Sequence, residues 1–209
     1  MRMTRLVTLI CLALCLSACA YRSSFTPEKR QSDFQPSEIQ EIYIYAFLDA
    51  RREYTGEAVL DVFQRTLSER LLQRGVKSQW LWFEDSPIGE RFSASEQGSP
   101  EGYGKMIPVP LVLMLNKQKE LESKATHRLV VFPKTVGLTG IHQAEREYYA
   151  SITWSLSRIA DSDASVLKGT SIFYSRPRRH PEQLQEDVDA LVDDFINELY
   201  GKQQHSSKN

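Results

Sequence analysis

Three side-chain sets in this sequence could do chemistry. The first is a lone thiol: cysteines stand at 11, 15 and 19, and the first two fall inside the apolar run Leu6 to Leu16, whereas Cys19 closes the stretch Leu16-Ser17-Ala18-Cys19. One thiol outside that run excludes a disulfide framework and a thiolate metal site. The second set is arginine, paired as Arg51-Arg52 and clustered as Arg176-Pro177-Arg178-Arg179-His180. Guanidinium groups match phosphate and carboxylate in a two-pronged geometry, so Arg51, Arg52, Arg176, Arg178 and Arg179 are candidate anion-binding or partner-binding residues; without a partner they are solvated loop charges. The third is histidine. His127, His142, His180 and His205 are scattered, and only folding could bring His127, His142 and Glu145 together around a metal. No metal, no other cofactor and no catalytic residue is expected, since no G-x-S-x-G, H-E-x-x-H or phosphate-cradling glycine loop occurs.

The start of the chain gives Cys19 its context. Arg2 and Arg5 precede the apolar core, and the small residues Ser17 and Ala18 follow it, which is the three-part pattern of an export signal over residues 1–18. The core is too short to span a bilayer, for which about 20 apolar residues are needed. Leu16-Ser17-Ala18-Cys19 resembles the lipobox of bacterial lipoproteins. That resemblance implies cleavage before Cys19, a diacylglycerol on its sulfur and, in most Gram-negative bacteria, a further acyl chain on its new amino group. Each buried methylene adds roughly 0.8 kcal/mol of membrane affinity, so such an anchor is firm. Ala20 is not the Asp that retains these proteins at the inner membrane in the enterobacterial pattern. The expected address is therefore the outer membrane, facing the periplasm.

With 26 Lys and Arg against 27 Asp and Glu, the chain carries a formal charge of -1, and loss of Arg2 and Arg5 makes it more negative. This balance offers no nucleic-acid partner and no polybasic membrane patch. Residues 19–38 are polar and interrupted by Pro27 and Pro36. They read as a lipidated tether with a root-mean-square span of roughly 25 Å, unless Phe25 and Phe34 dock on the domain.

Residues 39–201 read as one periplasmic α/β (α+β) domain with a mixed β-sheet of about five strands and about three helices. Residues 41–49 are apolar on both faces, as in a central strand. Residues 56–74 switch to helical period through Leu60, Phe63, Leu67 and Leu71, widened by Val59 and Leu72, and stop at Gly75. A strand over 76–84 follows, and the short connection suggests parallel pairing. Residues 85–105 form a long irregular segment rich in Gly, Pro and Ser. A helix is expected over 109–124, with a strand over its first half as the alternative. A strand over 127–134 is closed by Pro133 or placed near an edge by it. Residues 147–159 alternate, with Ile152, Trp154 and Leu156 inward and Ser151, Thr153 and Ser155 outward, and turn into a second arm over 166–175. A helix over 181–200 buries Leu184, Val188, Leu191, Phe195 and Leu199 and turns an acidic face to solvent. Residues 202–209 read as a disordered tail.

The lipobox, the tether and this order of elements resemble a group of periplasmic lipoproteins that includes the penicillin-binding-protein activators and the curli secretion lipoproteins, with an α/β domain like the amino-terminal domain of TolB. The stretches that carry the resemblance are Ile42 to Leu48, Leu67 to Val76 and the hairpin from Ile152 through Ile172. It implies a non-catalytic accessory protein working through contacts with an envelope protein partner in assembly, secretion or wall synthesis. The alternative expectation is a ligand-binding or transport-associated lipoprotein that uses residues 85–105 as a lid.

Overall fold

A strand enclosed on both sides must be apolar on both sides, and β2 (Glu41–Ala46) meets that condition, with Ile42, Tyr43, Ile44, Tyr45 and Ala46 all buried. It lies near the middle of a mixed sheet in the computed structural model, which describes residues 24–51, 57–82, 106–108, 117–139, 147–161, 164–175 and 181–201. The remaining elements are β1 (Ser24–Arg30), α1 (Glu57–Gln73), β3 (Lys77–Trp82), β4 (Met106–Pro108), α2 (Lys117–Glu122), β5 (His127–Thr139), β6 (Glu147–Arg158), β7 (Ser165–Ser175) and α3 (Pro181–Tyr200). Short 3-10 turns occupy Pro36–Glu38 and Leu48–Arg51.

The strand order is β1-β7-β6-β5-β2-β3, with β4 beside β5, so the single α/β domain holds seven strands among the described residues rather than about five. β2 pairs in parallel with both β3 and β5, and the other pairings are antiparallel. The two strands that sequence reasoning did not anticipate are β1 and β4. β1 lies within the expected tether: it pairs with β7 from Ser24 opposite Ile172 to Arg30 opposite Leu167, and Phe34 is buried further on. Residues 24–38 therefore belong to the domain, and Phe25 and Phe34 both dock on it.

Pro133 does not close β5. The strand runs on to Thr139 through a register shift between Pro133 and Thr135. The missing N–H is harmless there because β2 ends opposite Val131 and β4 ends opposite Thr135, which leaves Pro133 locally at an edge. Of the helix expected over 109–124, the structure shows Lys117–Glu122; residues 109–116 lie outside the described residues.

α1 and α3 cover one face of the sheet. Val59, Leu60, Phe63, Leu67 and Leu71 are buried on α1, while Leu72, expected to widen the stripe, is exposed. α1 ends at Gly75 with φ 77°, where the Gly75 N–H donates to the Leu72 carbonyl at 2.8 Å and the Val76 N–H to the Leu71 carbonyl at 3.0 Å. That pair of bonds satisfies the last carbonyls of the helix and needs the left-handed conformation glycine adopts freely. The helices run side by side in the same direction. Arg65 donates to Gln185, the Arg70 guanidinium meets Asp193 at 2.7 Å and Asp189 at 3.7 Å, and Arg74 lies over the Tyr200 ring. Part of the acidic face of α3 is thus a seam with α1 rather than solvent surface.

β1 is fixed from three directions. Arg30 donates to the carbonyls of Glu198 and Leu199, capping the C-terminal end of α3. Lys168 pairs with Glu28 at 2.8 Å. Phe25 lies over Gly169 and against Phe195, ring centroids 6.0 Å apart. A Cβ at Gly169 would meet the Phe25 ring and would stand 2.7 Å from the Thr26 carbonyl oxygen. Gly169→Ala is therefore expected to cost about 1–3 kcal/mol by overpacking and to loosen β1. Trypsin cleavage at Lys29 and Arg30 should accelerate relative to the parent; unchanged cleavage would mean that the edge strand gives way without cost.

Candidate functional site

The register fixes which chain segments share an end of the sheet. Ser24 lies opposite Ile172, Ile172 opposite Ser151, and Ser151 opposite Thr135; this level marks the upper end. β2 points toward the same end. The Phe47 N–H donates to the Val131 carbonyl at 2.9 Å, and the turn Leu48–Arg51 packs against β5 as that strand continues to Thr139. β7 also ends at the upper end, at Ser175, and Arg176 is the next residue in the chain. The backbone of Arg51 is placed there. Arg52, Arg176, Arg178 and Arg179 lie outside the described residues, as do Cys19, His142, Glu145 and the segment 85–105. Among the described residues no three His, Cys, Asp or Glu side chains converge as metal ligands, and no helix is long and apolar enough to cross a membrane.

The lower end carries a charged cluster around Arg158. Its Nε donates to Glu38 Oε2 at 3.0 Å, Asp161 stands at 3.7 Å and Asp33 at 4.0 Å. The bond from Arg158, and then the Gln35 N–H, hold the Glu38 carboxyl below its usual range. His127 lies beside this cluster, buried, with Nδ1 2.9 Å from Thr126 Oγ1 and its ring 6.1 Å from that of Phe34. Burial pushes its pKa below the ordinary imidazole value, with Glu38 opposing that shift and Arg158 adding to it.

The neutral form of His127 is thus the one that the fold favours. Its contribution to stability is complete above about pH 6.5 and declines as the pH falls through that value toward the lower folded pKa. His127→Gln should flatten the loss of stability between about pH 6.5 and 5, measured by urea midpoints. An unchanged slope would assign that loss to other groups; Glu38 and Glu28, whose pKa values are also lowered, act below that window.

Sequence reasoning missed the cluster on the opposite face of the sheet. Alternation along β5 sends Arg128 away from the side of His127 and Leu129. There its Nε meets Glu120 Oε1 at 3.0 Å, with side-chain exposures of 3% and 1%. Glu120 sits on α2, so the ion pair joins a six-residue helix to the sheet. Tyr45, fully buried, is part of the same group. Burial and then the Glu120 carboxylate push its hydroxyl pKa far up, which keeps it neutral. Tyr43 and Phe47 complete an aromatic row, with ring centroids 5.1 and 6.2 Å from that of Tyr45. The available signal was a charged residue inside a run of buried strand positions, which calls for a buried partner.

No protein-family model matches the chain, and no curated protein matches it. Among solved structures it is similar to a PelC dodecamer from Paraburkholderia phytofirmans, with 9% identity and a TM-score of 0.43 over 87% of this chain and 99% of that one. A point variant of the same PelC dodecamer gives 10% identity and a TM-score of 0.41 over 86% and 99%. Similarity at this level fixes neither a family nor a function.

Proposed function

We propose that the chain is a lipid-anchored, non-catalytic accessory protein of the bacterial cell envelope, acting through contacts with an envelope protein in assembly, secretion or wall synthesis. The observation that carries this reading is Leu16-Ser17-Ala18-Cys19 at the end of an apolar run that Arg2 and Arg5 introduce. Cys19 is the lipidation site, and the outer membrane, periplasmic face, is the address, since Ala20 stands where an inner-membrane retention Asp would. Arg51, Arg52, Arg176, Arg178 and Arg179 are the candidate contacts with anionic groups.

The test is Cys19→Ser. In cells, the parent chain should fractionate with outer membranes and yield an amino-terminal peptide with acyl mass on Cys19. The variant should lose both, and with them the greater part of its membrane association. In-cell crosslinking followed by mass spectrometry should then capture a specific envelope protein with the anchored form only. A variant that stays on the membrane would refute the lipid anchor, and a clean anchored preparation without a protein partner would refute the accessory role.

A further inference from the structure

The distance between the anchor and the fold sets how the domain sits. Ser24, the first residue of β1, comes five positions after Cys19. Five residues reach at most about 18 Å when fully extended, and a flexible chain of that length spans about 12 Å on average. β1 cannot lengthen this leash by peeling away at little cost, because Phe25, Glu28 and Arg30 tie it to Gly169, Lys168 and α3. Whatever Cys19 is attached to therefore lies against the upper end of the sheet.

The dipoles of the two long helices run the same way. α1 and α3 both begin at the upper end, so the partial positive charge of two long helices points there. The turn that ends at Arg51 is on that side, and β7 ends there one residue before Arg176. Glu147 at the start of β6, Asp49 in that turn, Glu57 at the start of α1 and Glu182 at the start of α3 are acids on the same end. Ile172, 37% exposed and opposite Ser24, adds an apolar contact. Both helix C-termini point to the lower end, where Asp33, Glu38 and Asp161 surround Arg158 and where Arg30, Arg74 and Lys77 also stand.

We infer that the upper end of the sheet is a membrane-docking surface, held against phospholipid headgroups by the lipid on Cys19, with the strands standing away from the bilayer and the lower end presented outward. This rests on the reading of Cys19 as the lipidation site. Phosphate groups of the headgroups meet the amino-terminal ends of α1 and α3, and the acidic groups around Arg158 are kept at the greatest distance from them.

The native, acylated protein makes a clean test possible, because Cys11 and Cys15 leave with the signal and Cys19 is blocked. Ile172→Cys and Asp161→Cys each then carry one nitroxide, at positions whose levels differ by about 25 Å along the strands. Ser24→Cys and Gln40→Cys supply a second pair, one at each end. The proteins are bound to vesicles of phosphatidylethanolamine and phosphatidylglycerol doped with a nickel-chelating headgroup lipid. Nickel should relax the labels at 172 and 24 several-fold more than those at 161 and 40. Equal relaxation, or stronger relaxation at 161 and 40, overturns the docking orientation while leaving the anchor in place. Protein that fails to float with the vesicles and shows no acyl mass on Cys19 overturns both.

Discussion

Arg128→Ala should lower the unfolding free energy by about 3–5 kcal/mol, and Glu120→Ala by a similar amount, because each leaves a buried charge without its partner. The two side chains meet at 3.0 Å with almost no exposure to water, so the loss is not cushioned by solvent as it would be at the surface. The contrast that identifies the cause is the double change Arg128→Met with Glu120→Leu. Replacing a buried pair by apolar groups of similar volume is often neutral or stabilising, so the double variant should recover most of what either single change loses. Urea denaturation of the four proteins gives the coupling directly. Single variants within about 1 kcal/mol of the parent would show that the pair does not fasten α2 to the sheet.

Trp154→Ala should cost about 3–5 kcal/mol, since the indole is the largest fully buried side chain in the core. Its ring stacks on Phe195 at 4.4 Å and 11° and touches Phe63 at 5.7 Å, so it joins the sheet to both long helices at one point. Trp154 Nε1 also donates to Ser171 Oγ at 3.0 Å. Trp154→Phe keeps an aromatic ring against Phe195 but leaves the Ser171 hydroxyl buried without that donor, and should cost about 1–3 kcal/mol. A ratio near one between the two losses would mean that the hydrogen bond, rather than ring packing, carries the effect. Thermal unfolding and urea midpoints both measure it.

The elements that were legible in the sequence are those whose burial is periodic. β2 announced itself by being apolar on both sides, and α1 and α3 by stripes such as Leu60-Phe63-Leu67-Leu71 and Val188-Leu191-Phe195-Leu199. β6 was plain because Ile152, Trp154 and Leu156 face helices while Ser151, Thr153 and Ser155 do not. β1 was hidden for a physical reason: at the edge, with one face wet, Ser24-Phe25-Thr26-Pro27-Glu28-Lys29-Arg30 needs just one large apolar residue, Phe25, and tolerates Pro27. Pro133 marks a local edge and not the end of β5, and which of the two it would be depended on where two neighbouring strands stop. The pair of Arg128 and Glu120 leaves no periodic trace, because it is made between a strand and a six-residue helix. The arginine set was legible as composition, and of it the structure places the backbone of Arg51.

The pairing of β1 with β7 also bears on how the chain acquires its fold. The bond from Thr170 to Glu28 joins residues 142 apart in sequence, so the first strand of the domain must wait for nearly the whole domain before its partner exists. Contacts of such long range close late and slow folding. Until then β7 exposes an unsatisfied strand edge, and β1 is free to pair with the wrong one. If Cys19 is already fixed to lipid, the waiting strand is held beside its own domain instead of diffusing among others, and the final step of folding becomes a local search at the bilayer surface.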